Sequence, residues 1–213
     1  MKQILVIAPH ADDEVLGVGG YLLHEAEKGC KIHVIYGAVG GKDKRQDISV
    51  RLSEIKNVCS MLNAEETVLF RGKDAELDTV PSREIICRID EVIDRIRPDE
   101  VFINCRSHHQ DHLKMHECAM ASMRQREGFV PKMVALYEYP CLEPGEIVEG
   151  GRWYHNISDI IYKKGMMLEK YTSQIRKAPS PINVDGVMSL ASIRGRECGV
   201  QYAELFYVQK MVL

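Results

Sequence analysis

Short runs rich in valine and isoleucine recur along the chain and alternate with longer stretches whose apolar residues are spaced three or four positions apart. The short runs predict buried strands, and the longer stretches predict amphipathic helices. The predicted strands are 3–8, 31–36, 67–70, 100–104 and 133–137, and the predicted helices are 14–28, 48–62, 81–96 and 111–126. This alternation predicts an α/β fold with a Rossmann-like, doubly wound, mainly parallel sheet.

The last third of the chain has a less regular pattern. After Pro140, glycine and proline interrupt the sequence, and the spacing then predicts a helix over 159–177, a helix over 186–196 and a short apolar tail. Lys163 and Lys164, with Arg176 and Lys177, are expected to form a solvated face. No repeat or linker divides the sequence, so we expect a single domain over 1–213.

Composition narrows the class of partner. The 213 residues are 45% hydrophobic and 28% charged, as in ordinary globular proteins, and the net charge of -3 gives no electrostatic case for nucleic acid or an anionic membrane. The first apolar run is too short for a signal peptide, and no stretch reaches the length of a membrane span. Seven cysteines include no CxxC pair. We therefore expect a cytoplasmic protein with reduced cysteines and a small-molecule partner.

Two polar clusters follow predicted strands. Their members are His10, Asp12, Asp13 and Glu14 after strand 3–8, and His108, His109, Asp111 and His112 after strand 100–104. In a doubly wound sheet of order 3-2-1-4-5, strands one and four are neighbours, and their carboxyl ends form the crevice where ligands bind. The sequence therefore predicts that both clusters belong to one site.

The residue types in these clusters favour a metal site. Adjacent carboxylates raise one another's pKa, and a cation between them would relieve that repulsion. Two histidines and one carboxylate leave a coordination position open, as in catalytic zinc sites. The same donors hold iron(II) in oxygenases, or could serve a non-catalytic, metal-dependent sugar-binding protein. Acids that only cap helix starts are the simplest alternative. The residues alone do not distinguish Asp12 from Asp13 as the ligand.

Several motifs resemble one family. PHADDE after the first strand, paired with an HxDH motif, resembles the LmbE-like or PIG-L family of metal-dependent N-deacetylases, which includes enzymes acting on N-acetylglucosaminyl lipids and on bacillithiol and mycothiol precursors. Weaker matches extend over nearly the whole chain: RxxE at 51–54, YTSQ at 171–174, RxxG at 196–199 and YAExF at 202–206. The resemblance implies a zinc-dependent hydrolase that removes the N-acetyl group from an N-acetylglucosamine-type amino-sugar conjugate.

The resemblance also implies roles for individual residues. The metal ligands would be His10, Asp13 and His112, holding Zn²⁺ or, in its place, Fe²⁺. Asp12 would be the general base that takes a proton from metal-bound water. His109 would protonate the leaving amine or stabilise the oxyanion, and Asp111 would orient an adjacent histidine.

Recognition of the substrate is less closely specified. The resemblance assigns Arg51 to substrate contact, whereas its spacing from Glu54 is equally compatible with an exposed ion pair on a helix. Many relatives carry an acid where this chain has Ser107, and the motif does not require His108, so the substrate side is expected to differ. The loops after Gly40 and Pro140 would recognise the rest of the conjugate. By analogy with relatives, a homo-oligomer is one possible assembly state of the protein.

Overall fold

One mixed sheet organises the chain. The computed structural model describes residues 1–40, 47–125, 128–140 and 150–212. Within these ranges the strands are β1 (Gln3–Ala8), β2 (Lys31–Val39), β3 (Ala64–Arg71), β4 (Glu100–Asn104), β5 (Met133–Tyr137), β6 (Gly151–Asn156) and β7 (Ala203–Met211). The helices are α1 (Asp13–Glu27), α2 (Ile48–Leu62), α3 (Ser82–Ile96), α4 (Gln110–Ser122), α5 (Ile161–Leu168) and α6 (Val184–Cys198), with a 3-10 turn at Leu77–Thr79.

The strand order is β3-β2-β1-β4-β5-β7-β6. Strands β1 to β5 run parallel to one another, whereas β7 runs antiparallel to both β5 and β6. The predicted α/β class and the predicted 3-2-1-4-5 order are confirmed. The carboxyl ends of β1 and β4 lie side by side at the point where the strand order reverses, which is where ligands bind in folds of this type.

The core lies on both faces of the sheet. Along β1, Ile4, Val6 and Ala8 belong to one apolar cluster, and Leu5 and Ile7 belong to the other. Helices α1, α2, α5 and α6 pack on the first face, and α3 and α4 pack on the second. Because β1, β4 and β5 are covered on both sides, their residues are apolar almost throughout, which made these strands visible in the sequence.

The C-terminal third differs from its prediction. The helix predicted over 159–177 is only α5, which ends at Leu168, because the following residues bind elsewhere: the Glu54 carboxylate accepts hydrogen bonds from the Thr172 hydroxyl and the Ser173 backbone N–H. The predicted tail is β7, and its partner β6 contains Trp153, whose ring packs against Phe206.

Lys164 corrects another expectation. Lys163 is exposed, as predicted, but Lys164 is only 2% exposed. Its Nζ atom donates to Glu204 at 2.7 Å and to the Leu16 carbonyl at 2.9 Å, and the Glu204 carboxylate also accepts the Gly20 N–H. An unpaired buried charge would be costly, and this pairing offsets that cost.

Two compositional expectations concern thiols and membranes. Within the ranges that the structure describes, every cysteine is a free thiol; Cys59, Cys105 and Cys118 are buried, whereas Cys87 and Cys198 are exposed. None of the helices in those ranges combines the length and the apolar character that crossing a bilayer requires.

Candidate metal centre and active site

The two polar clusters meet at the carboxyl ends of β1 and β4, as predicted. The Nε2 atom of His10 lies 2.8 Å from Oδ2 of Asp111, although 101 positions separate them in the chain. The His10 ring centroid lies 5.4 Å from that of His109 and 5.2 Å from that of His112. The turn after β1 and the start of α4 therefore contribute to one site.

Three of these side chains could share a cation. Oδ2 of Asp13 lies 3.7 Å from Nδ1 of His10 and 3.5 Å from Nε2 of His112. Possible ligand atoms of all three residues lie within 4.8 Å of one another. Two imidazoles and one carboxylate converging in this way suit zinc or another divalent transition metal, so the residues present fit the predicted cation.

A second group includes an acid that the sequence analysis missed. His10, Asp74 and Asp111 also bring possible ligand atoms within 4.8 Å, and Oδ1 of Asp74 lies 3.5 Å from Nε2 of His10. Asp74 follows the end of β3, on the same sheet edge as the two clusters. The carboxyl ends of parallel strands meet at one edge of the sheet, and this rule predicted that the two clusters meet. The same rule could have indicated Asp74, a carboxylate just beyond a parallel strand.

Asp111 connects three parts of the site. Besides contacting Nε2 of His10, its carboxylate accepts the backbone N–H of Ala75 at 2.7 Å and that of Leu77 at 2.9 Å. The segment that carries Asp74 is thereby fastened to the start of α4. The histidine that Asp111 contacts is the predicted ligand His10, which is the arrangement that orients metal-binding imidazoles in proteins.

Burial shifts the protonation of the cluster. Burial alone would lower the pKa of His10, but the hydrogen bond to Asp111 and the charges of Asp13 and Asp74 outweigh it and raise the pKa to about 9. Burial raises the pKa of Asp13 to about 6, although the charge of His10 opposes the change. Burial and the neighbouring charge of Asp13 hold the pKa of Asp12 well above its usual range. The site without a cation therefore retains protons that a cation would displace.

His112 shifts in the opposite direction. Burial, with the charges of His10 and His109, holds its pKa well below the usual range for histidine. His112 is therefore neutral, and a neutral imidazole is the form that binds metals. Its Nδ1 atom is buried without a hydrogen-bond partner in the part of the chain that the structure describes.

Asp12 occupies a backbone conformation that residues with side chains rarely adopt. Its φ is 129° and its ψ is -27°, which costs about 1–3 kcal/mol for a residue other than glycine. Asp12 precedes α1 as its N-cap residue, but its side chain makes no capping hydrogen bond. Helix capping therefore does not explain Asp12, and its buried carboxylate stays available to the site.

Arg51 and Glu54 are buried and do not form the exposed ion pair that their spacing allowed. Nη2 of Arg51 donates to the Ala11 carbonyl at 2.8 Å, whereas Glu54 contacts the segment after α5. Nε and Nη1 of Arg51 have no hydrogen-bond partner among the described residues. Arg51 therefore lies directly under the turn that carries Asp12.

The structure separates the two neighbouring histidines. His109 is half-buried, with its ring centroid 5.0 Å from that of His112, whereas His108 is exposed. Ser107 is buried, and its hydroxyl accepts the His109 backbone N–H at 3.0 Å. His109 is thus the histidine of this pair that reaches the cluster.

Two segments expected to recognise the substrate are outside the described residues. They are 41–46 after Gly40 and 141–149 after Pro140.

Comparisons with known proteins identify the family of the chain. The sequence profile of the family described as GlcNAc-PI de-N-acetylase, PIG-L, matches residues 5–123, more than half of the chain. The uncharacterized deacetylase YaiS of Escherichia coli K12 is 27% identical over 145 residues, which cover 65% of this chain and 75% of YaiS.

Solved structures share the fold at low sequence identity. The N,N'-diacetylchitobiose deacetylase of Pyrococcus horikoshii superposes with a TM-score of 0.77 at 21% identity, covering 98% of this chain and 84% of the other. GalB, the 4-carboxy-2-hydroxymuconate hydratase of Pseudomonas putida KT2440, has a TM-score of 0.80 at 20% identity, covering 100% and 98%. These likenesses show the fold alone. Because the profile match spans both polar clusters, the chain belongs to the GlcNAc-PI de-N-acetylase (PIG-L) family of hydrolytic N-deacetylases.

Proposed function

We propose that this protein is a zinc-dependent hydrolase that removes the acetyl group from an N-acetylglucosamine-type amino-sugar conjugate, releasing acetate and a free amine. One observation carries the proposal: possible ligand atoms of His10, Asp13 and His112 converge within 4.8 Å, beside the buried carboxylate of Asp12. A site that only held a metal would have no use for a second buried carboxylate in the same turn.

The proposed division of labour follows from these positions. His10, Asp13 and His112 would hold the cation, which, when bound, supplies Lewis acidity that polarises an amide carbonyl and acidifies water. Asp12 accepts the proton of the attacking water at its carboxylate. A nearby positive charge would favour the ionised form of Asp12 that this step needs, against the burial that raises its pKa.

His109 completes the proton transfers. Its half-buried ring lies beside the proposed ligands His10 and His112, with centroid distances of 5.4 Å and 5.0 Å. From this position it would donate a proton to the nitrogen of the leaving amine, or hold the oxygen that becomes negative in the tetrahedral stage.

Asp111 and Arg51 are given supporting roles, one toward a metal-binding histidine and the other toward the substrate. Asp111 orients His10 through the 2.8 Å contact with Nε2. Arg51 is proposed to contact the substrate, because Nε and Nη1 have no partner among the described residues, and a guanidinium donor suits a sugar hydroxyl or an acetyl oxygen.

The test is a substrate screen on protein of measured metal content. Zinc-loaded and iron-loaded samples would be incubated with N-acetylglucosamine conjugates that differ in the group at the anomeric carbon, and acetate and primary amine would both be measured. The proposal expects the two products in equal amounts, with no dependence on oxygen.

Each rival function gives a different result. An oxygenase requires oxygen, a hydratase like GalB releases neither acetate nor amine, and a binding protein retains the sugar without turnover. Any of these outcomes in metal-loaded protein would overturn the proposal.

A further inference from the structure

The peptide bond between Ala11 and Asp12 is held at both ends by buried side chains. Its carbonyl oxygen, on Ala11, accepts a hydrogen bond from Nη2 of Arg51 at 2.8 Å. Its N–H, on Asp12, donates to Oε2 of Glu14 at 3.2 Å. The φ angle of Asp12 describes rotation about the next backbone bond, N–Cα. Fixing the Ala11–Asp12 peptide plane therefore fixes one of the two planes between which the φ of 129° is measured.

Glu14 is itself held in place. It is fully buried, and the hydroxyl of Tyr171 donates to its other oxygen, Oε1, at 2.5 Å. The Tyr171 hydroxyl lies 3.2 Å from that of Tyr36 on β2, and both tyrosines are fully buried. The two oxygens of one carboxylate thus join the Asp12 backbone to a tyrosine from a distant segment.

That segment is fastened by the helix that supplies Arg51. Glu54, one turn after Arg51 on α2, accepts the Thr172 hydroxyl at 2.9 Å, the Ser173 N–H at 2.8 Å and the Ser173 hydroxyl at 2.7 Å. Tyr171 precedes these residues directly. The contacts run without interruption from α2, through the segment after α5, to the turn that carries Asp12.

We propose that Glu14 and Tyr171 are positioning residues for Asp12: Tyr171 fixes the Glu14 carboxylate, and Glu14 holds the Asp12 N–H so that the strained turn presents the Asp12 carboxylate to the site. The inference rests on the proposed function, in which Asp12 is the general base. Neither residue touches the reacting atoms. Their effect passes through one backbone hydrogen bond, at a φ that Asp12 would otherwise leave.

The test compares four variants with the wild type, all metal-loaded. Glu14→Gln keeps a carbonyl oxygen for the Asp12 N–H while its amide donates to the Tyr171 oxygen, whereas Glu14→Ala removes both contacts. Tyr171→Phe removes the hydroxyl that donates to Glu14, together with its contact to the Tyr36 hydroxyl, and keeps the ring. This variant keeps the test decisive if Glu14→Ala fails to fold. Tyr207→Phe is the matched control, because it removes a buried hydroxyl that donates to a different carboxylate, Glu138, away from the Asp12 turn.

The measurements are metal content, kcat, KM and a crystal structure of each variant. We expect kcat of Glu14→Ala to fall about 100-fold, a smaller loss in Tyr171→Phe, and near wild-type values in Glu14→Gln and Tyr207→Phe. Metal content and KM stay unchanged in all four. In the crystal structures, the φ of Asp12 leaves the region near 129° only where the contact to Glu14 is lost.

Three results would overturn the inference. They are a φ near 129° in Glu14→Ala, equal losses in Glu14→Gln and Glu14→Ala, which would indicate the charge of Glu14, and metal loss in Glu14→Ala. If the wild type deacetylates nothing, the proposed function fails by itself, and the φ comparison still decides whether Glu14 holds the turn.

Discussion

Oδ2 of Asp111 and Nε2 of His10 lie 2.8 Å apart and join the start of α4 to the turn after β1. The contact is buried on the Asp111 side, where exposure is 0%. A carboxylate in this position increases the basicity of a ligand imidazole and fixes the orientation of its ring.

Asp111→Asn is therefore expected to weaken metal binding about 10–100-fold, because asparagine keeps the shape but loses the negative charge. Competition with a metal-sensitive chelating dye would measure the dissociation constant. Asp78→Asn provides the control, since Asp78 is exposed in the 3-10 turn. An unchanged metal affinity in Asp111→Asn would show that Asp111 does not support His10 as a ligand.

Asp12→Asn should retain metal and lose about 10²–10⁴-fold in kcat, the usual size of a general-base contribution. Asparagine is preferable to alanine here because it tolerates positive φ better than most residues. His112→Ala should instead lose the metal, whereas His116→Ala, one turn later on α4, should keep it. Metal analysis beside the acetate assay separates these cases, and a fully active Asp12→Asn enzyme would refute the assignment of the base.

Metal binding should become weaker as the pH falls, and binding should release protons. The pKa of His10 is raised to about 9, so at pH 7.5 its imidazole carries a proton that a metal must displace. The pKa of Asp12 is also raised. The pKa of His112 is lowered, so this histidine is already neutral and releases no proton when the metal binds.

Calorimetry at pH 7.5 in buffers of different ionisation enthalpy would count the protons, and we expect at least one per metal. The same shift stabilises the metal-free fold below the unfolded pKa of histidine, about 6.5. That contribution disappears as the pH rises through about 9. Binding without proton release would show that His10 is neutral in the metal-free protein.

Lys164→Met should destabilise the protein by about 3–5 kcal/mol, because it leaves the buried Glu204 carboxylate without its cation. The double variant Lys164→Met/Glu204→Gln should recover part of that loss, since glutamine is neutral and its one amide oxygen still accepts one of the two backbone N–H groups, of Gly20 and Tyr21, that Glu204 accepts. Urea denaturation measures both. Lys163→Met is the control: Lys163 is exposed, and the midpoint of unfolding should hardly change. No recovery in the double variant would show that packing, not charge, dominates.

The sheet and both polar clusters could be predicted because their signals are local. Strands covered on both faces are continuously apolar, and one rule about strand ends then brought His10 and Asp111 together across 101 positions. The C-terminal third depends on partners distant in sequence. Lys164 is polar in every local pattern, and its burial follows only from Glu204 on β7.

Other details of the site were also set by distant contacts. Arg51 and Glu54 have the spacing of an exposed pair, but the turn after β1 and the segment after α5 cover them and divide their hydrogen bonds. Asp74 lies in a short segment with no periodicity, so only its position after the end of β3 could have indicated it; its contact with His10 also depends on the two amides of that segment that Asp111 binds.

The Asp111 carboxylate contacts the His10 ring and also accepts the backbone N–H groups of Ala75 and Leu77. A cation held through His10 and a molecule held by the segment that carries Asp74 would therefore perturb the same two oxygen atoms. Thermodynamic reciprocity then applies: by whatever factor the cation changes the affinity for that molecule, the molecule changes the affinity for the cation by the same factor.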